Sequence, residues 1–104
     1  MSPEMINKQG HNYSVDFYGL GAYLYEMLFG FPPYYSQNVK KMYSDICTKQ
    51  LQFPNIYIIS LELKSLLSAL LCKNPNNRLG SKNGILDILN HSWCKKVKLT
   101  DIIH

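Results

Sequence analysis

Val15-Asp16-Phe17-Tyr18-Gly19-Leu20-Gly21-Ala22-Tyr23-Leu24-Tyr25-Glu26-Met27-Leu28-Phe29 is the stretch on which the fold turns. Apolar residues fall on nearly every face, which predicts a helix buried inside a domain rather than one lying on its surface. Asp16 and Glu26 interrupt the run, and it is shorter than the roughly 18 apolar residues of a membrane span, so no membrane span is expected. Gly30 supplies a helix stop, and Pro32-Pro33 prevents continuation. A helix of this kind needs neighbours, and the rest of the chain supplies them.

A second helix is read from Val39, Met42, Tyr43, Ile46 and Cys47, whose spacing of three and four residues places them on one face. Gln52-Phe53-Pro54-Asn55 breaks that pattern. Ser60 then caps a third helix with Leu63, Leu66, Leu67, Leu70 and Leu71 on one stripe. After the loop Asn74-Pro75-Asn76-Asn77 comes a short fourth helix, with Ile85, Ile88 and Leu89 expected to face inward and Trp93 just beyond. Neither strand alternation nor an internal repeat is present, so the fold class is all-α.

With 104 residues and 46% hydrophobic content the chain fits one small domain or part of one, and disorder is not expected. The formal charge of +4 is spread along the sequence. Only Lys95, Lys96 and Lys98 form a group larger than a pair, which fits a solvated face better than a nucleic-acid surface, so no nucleic-acid partner is expected. Cys47, Cys72 and Cys94 are odd in number and far apart, without metal-ligand spacing. They read as reduced thiols of an intracellular, cytoplasmic protein. The N-terminus has neither a basic nor an apolar region of the kind a signal peptide carries.

Fragments of catalytic motifs fail on context. Gly19-Leu20-Gly21 begins like a phosphate loop, but Leu24 stands where the third glycine belongs and no strand precedes it, so small residues packing within the helix are expected. Asp16-Phe17-Tyr18 shares two residues with the metal-binding D-F-G triplet and has tyrosine in place of its glycine. The only arginine, Arg78, is followed by Leu79, so no H-R-D loop occurs, and no V-A-I-K lysine is present. His11, His91 and His104 have no readable partners and read as surface or structural histidines. No G-x-S-x-G and no cysteine–histidine pair can be identified.

Three ordered segments carry a resemblance. They are Ser2-Pro3-Glu4, then Val15 to Gly21 running on to Tyr25-Glu26-Met27-Leu28-Phe29-Gly30-Phe31-Pro32-Pro33-Tyr34, then Asn74-Pro75 with Arg78-Leu79-Gly80. Together they resemble the A-P-E, D-W-W-x-L-G, Y-E-M-L-x-G-x-P-P-F and D-P-x-x-R-L-G motifs of AGC-group serine/threonine protein kinases. The segment from Lys82 to Ile88 and Asn90-His91-Ser92-Trp93 are similar to the end of the cyclic-nucleotide-dependent kinases, and Arg78-Leu79-Gly80 also to protein kinase B. The resemblance implies a partial kinase C-lobe, with a central buried helix plus three following helices. Residues 1–104 would run from the A-P-E-like motif to the last lobe helix and the start of a C-terminal tail.

The same resemblance implies roles. Glu4 would pair with Arg78 as a buried structural link, and Asp16 would hold the backbone of a catalytic loop. Met1 would border the pocket for the residue after the phosphoacceptor, and Glu26 would recognise an arginine two residues before it. Phe31 and Tyr35 would form an aromatic docking patch, and Tyr23 and Met27 would support the adenine-side hydrophobic column. Substrate-binding residues are therefore Met1, Glu26, Phe31 and Tyr35. No catalytic, cofactor or metal residue is expected within the segment, and ATP and magnesium are implied for the parent kinase. Its partners would be protein substrates with basic residues, the rest of the kinase domain, and, for the isolated segment, a second copy. The rival expectation is a non-catalytic kinase-derived or pseudokinase peptide-docking module. Departures from the motifs are Ser2, Phe17, Tyr18, Asn74, and Cys94 in place of an aromatic, the last thinning the packing under the final helix.

Overall fold

The computed structural model describes residues 1–10, 12–54 and 59–96. Within them lie α1 (Pro3–Ile6), α2 (Ser14–Phe29), α3 (Val39–Thr48), α4 (Leu61–Leu70) and α5 (Ile85–Leu89). Residues 92–96 are also helical, and no strand occurs among the described residues. The expected C-terminal tail falls on residues 97–104, which together with His11 and Asn55 lie outside the described part.

Most of the helix starts, and the end of α2, have a local cause. Pro3 occupies the first turn of α1, where its missing N–H is no loss. At the start of α2 the Asn12 Oδ1 accepts the Ser14 N–H at 2.9 Å. At its end Gly30 turns left-handed with φ 84°, a conformation that favours glycine, and donates its N–H to the Glu26 carbonyl at 2.8 Å. Asn38 caps α3 by accepting from the Lys41 N–H at 3.2 Å, and Ser60 caps α4 by accepting from Leu63 at 3.1 Å.

Packing follows the apolar stripes. Along α2, Ser14, Tyr18, Gly21, Tyr25 and Phe29 recur every three or four residues and are buried. This stripe packs on α4, while α1 packs on α3. One core cluster joins Tyr18, Tyr25, Phe29, Ile46, Leu67 and Leu71, and a second joins Leu66, Leu70 and Ile88. Gly21 permits the approach of α2 to α4, since a Cβ there would lie 2.8 Å from Leu70 Cβ. Gly19 faces open space, so only one of the two glycines has the expected packing role.

The opposite face of α2 is uncovered, so among the described residues the helix is buried on one side. Tyr23 is 62% and Met27 65% exposed. The molecule measures 47 × 34 × 17 Å, and 17 Å holds about two helix layers, so α2 has a neighbour on one side only. On the shared apolar face of α3 burial is graded: Ile46 is buried, Met42 and Cys47 are half-buried, and Val39 and Tyr43 are exposed, because α3 meets α1 and the core through its Ile46 side. On α5 the inward assignment is corrected: only Ile88 is buried, while Ile85 and Leu89 are exposed, because a helix of 5 residues presents little more than one position to the second cluster. Trp93 and Cys94 pack at the edge of that cluster.

Candidate functional site

The strongest polar feature is a clasp between α1 and the loop before α5. Arg78 is 1% and Glu4 2% exposed, and their side chains meet in a two-pronged pair with Nη1 to Oε2 at 2.7 Å and Nη2 to Oε1 at 2.9 Å. A planar guanidinium matches a carboxylate in this way, and a buried charge requires such partners. The remaining donors of Arg78 are also used. Nε donates to the Cys72 carbonyl at 2.8 Å, Nη2 to the Lys73 carbonyl at 3.3 Å, and Nη1 to the carbonyl and hydroxyl of Ser14, both at 3.1 Å. Its guanidinium also lies 5.0 Å from the Tyr18 ring centroid. Burial pushes the Glu4 carboxyl up, but the bonds and charge of Arg78 outweigh it and hold the group below its ordinary range. The clasp thus ties α1, the first turn of α2 and residues 72–78 into one body.

Ser14 was not singled out in the sequence, since a serine at a helix start ordinarily reads as a cap. Its contact with Arg78 spans 64 positions, and no local pattern announces it. Tyr18 enters the sequence reading within the failed metal triplet and as a departure from the second tryptophan of the D-W-W-x-L-G motif. It is a core residue, and its buried hydroxyl has no hydrogen-bond partner among the described residues. Burial pushes its phenol far above the ordinary tyrosine range, so it stays neutral.

Asp16 is exposed in the first turn of α2, and its carboxylate makes no hydrogen bond among the described residues. Glu26, ten residues on along the same helix, is likewise exposed and without a bonded partner among them. Phe31 and Tyr35 lie beyond the Gly30 turn and border a groove of about 170 Å³ that Tyr25, Tyr34, Lys49, Gln50 and Gln52 also line. Tyr25 anchors it by donating its hydroxyl to the Gln52 carbonyl at 2.7 Å, with its ring 6.2 Å from that of Phe31. Glu26, Phe31 and Tyr35 thus belong to one end of α2 and the turn that follows it. Met1 is exposed and precedes Ser2, the N-cap of α1.

His91 has partners that the sequence concealed: its Nε2 lies 3.1 Å from the Ser65 hydroxyl, and its Nδ1 accepts the Trp93 N–H at 3.1 Å. All three cysteines are free thiols. Among the described residues no group of three or more His, Cys, Asp or Glu side chains could hold a metal ion, and no helix is long and apolar enough to cross a membrane.

The described residues form a helical slab fastened by a buried arginine–glutamate clasp, with exposed carboxylates on its central helix and exposed aromatics just beyond it. The family described as Protein kinase domain matches residues 1–94, which with the all-helical fold makes this part of a kinase helical lobe. Serine/threonine-protein kinase Sgk1 of Xenopus tropicalis is 41% identical over 105 residues, covering 100% of this chain and 24% of that protein. Serine/threonine-protein kinase Sgk3 of Rattus norvegicus is 43% identical over 104 residues, covering 99% of this chain and 20% of that protein. Flippase kinase 1 of Saccharomyces cerevisiae is 41% identical over 98 residues, covering 94% of this chain and 11% of that protein. The chain belongs to the protein kinase domain family, in its AGC group of serine/threonine kinases, and spans about a quarter or less of the length of these relatives.

Proposed function

We propose that this chain is the end of the helical lobe of a kinase that transfers the terminal phosphate of ATP to serine or threonine in basic sequences. The segment supplies scaffold and part of the substrate platform, and alone it is inactive. The observation that carries this reading is the exposed Glu26 carboxylate, without a bonded partner among the described residues, in the last turn of the central helix that leads into Phe31 and Tyr35. A substrate arginine meeting Glu26 would form a charge-assisted bond, giving specificity and faster encounter. Phe31 and Tyr35 offer apolar area for a docking segment, and Met1 offers an apolar wall for the side chain after the phosphoacceptor. Asp16, whose acceptor oxygens make no hydrogen bond among the described residues, is suited to receive backbone N–H groups of a catalytic loop from elsewhere in the kinase. The open face of α2 around Tyr23 and Met27 is then covered by the rest of that domain, and in the isolated segment it would drive self-association.

The activity is tested by incubating the full-length chain with labelled ATP, magnesium and peptides carrying arginines before a serine. Incorporation into those peptides is expected, and none from the 104 residues alone. A full-length chain that binds such peptides and transfers no phosphate would favour the non-catalytic docking module instead.

A further inference from the structure

Lys73 lies in the loop after α4, and its side chain reaches the C-terminal end of α3. There its ammonium donates to the Ile46 carbonyl at 2.5 Å, to the Asp45 carbonyl at 3.5 Å and to the Tyr34 hydroxyl at 3.0 Å. It also sits 4.3 Å from the Tyr34 ring centroid. The last carbonyls of a helix lack partners within it, and its negative end attracts a cation. The last turn of α3 carries no basic residue of its own, so Lys73 supplies that charge from another part of the chain.

The partner that Lys73 holds is itself strained. Tyr34 has φ 62°, a conformation that bulky residues rarely adopt and keep only when the surroundings fix it. Tyr34 lies between Phe31 and Tyr35 in sequence and lines the groove with both. The other end of Lys73 is tied as well, because its backbone carbonyl accepts from Arg78 Nη2. A continuous chain of bonds therefore runs from Glu4 through Arg78 and Lys73 to Tyr34.

We propose that Lys73 is a positioning residue that passes the rigidity of the Glu4–Arg78 clasp to the Phe31–Tyr35 turn and so sets the shape of the groove that receives the substrate or its docking segment. This rests on the function proposed above for that groove. Burial lowers the Lys73 ammonium from the ordinary lysine range, and it pushes the Tyr34 phenol up to about 12, so the phenol stays neutral and able to accept. A charged donor facing carbonyls and a hydroxyl, with a ring beneath it, is among the stronger polar arrangements. Methionine at position 73 would keep the length and lose every donor.

The test uses the full-length chain with Lys73→Met, Lys73→Arg and Tyr34→Phe. Hydrogen exchange over residues 31–38 and the KM values for an arginine-containing peptide and for ATP are measured. Lys73→Met is expected to speed exchange of that segment about tenfold, the scale of one lost charged hydrogen-bond set. It should raise the peptide KM several-fold and leave the KM for ATP unchanged, with Lys73→Arg recovering most of both effects and Tyr34→Phe giving a smaller change in the same direction. Unchanged exchange over 31–38, or faster exchange with an unchanged peptide KM, overturns the proposal. If the wild-type chain transfers no phosphate, the proposed function fails, and peptide affinity by calorimetry replaces KM in judging Lys73. If Lys73→Met does not fold, the same two readouts on Tyr34→Phe decide.

Discussion

Arg78→Ala removes the centre of the clasp and strands Glu4 in a place where its side chain is 1% exposed. The loss includes two bonds to Glu4, two to Ser14 and one each to the Cys72 and Lys73 carbonyls. Breaking one partner of a buried pair costs about 3–5 kcal/mol, against less than about 1 kcal/mol for an exposed one. At about 1.4 kcal/mol per factor of ten, exchange of the amides in α1 and in residues 72–80 of the full-length chain should accelerate by about two to three and a half orders of magnitude. Arg78→Lys keeps the charge without the planar fork and should fall between wild type and alanine. The double variant Glu4→Gln, Arg78→Met should cost less than Arg78→Ala alone, because no charge is left unpaired. pH gives a second view. The Glu4 carboxyl is lowered from 4.5 in the folded chain, so its stabilisation is fully present above that value. That contribution should disappear as the pH falls through the lower folded value, and Glu4→Gln should abolish this part of the acid sensitivity. Acceleration of less than about fivefold in Arg78→Ala, the scale of an exposed pair, would refute the reasoning.

Three other substitutions probe separate parts of the fold. Tyr18→Phe deletes a buried hydroxyl that has no partner among the described residues, so stability should hold or rise by about 1 kcal/mol, and a fall of that size by thermal unfolding would show that the hydroxyl is bonded. Gly80→Ala puts a Cβ 2.6 Å from Phe17 Cγ at a φ of 96°, and should cost at least about 2 kcal/mol, which an unchanged unfolding midpoint would disprove. Ser60→Ala removes the cap of α4 and should cost about 1 kcal/mol, seen as faster exchange of its first-turn amides alone.

How much the sequence disclosed depended on whether a residue's partner was local. The cap at Ser60 and the leucine stripe of α4 are set by neighbours within one or two turns, and they appear in the structure as read. The left-handed stop at Gly30 is equally local. α1 escaped notice because four residues opened by a proline carry no periodicity. The uncovered face of α2 follows from the motif resemblance, which assigns the covering elements to the rest of the kinase domain, since apolar composition alone says a face prefers cover and not whether cover is present. The motif resemblance paired Glu4 with Arg78 across 74 positions, and the structure places them together, whereas Ser14, Tyr34 and Lys73 join the same network through contacts with no sequence signature. Phe31 and Tyr35 read together as an aromatic patch and Glu26 separately; Glu26 lies in the last turn of α2 and the two aromatics follow its Gly30 stop, where they line one groove.

The central claim is that this segment reads basic substrates and leaves the chemistry to other parts of the kinase. Its most direct test is the kcat/KM of the full-length chain for a peptide with arginine two residues before the serine, relative to the same peptide with alanine there, in wild type and in Glu26→Gln. Wild type should prefer arginine by about 2–3 kcal/mol, roughly 30- to 150-fold, as a charge-assisted pair allows. Glu26→Gln should bring that ratio close to one while the KM for ATP stays unchanged. An equal preference in both proteins would contradict the account.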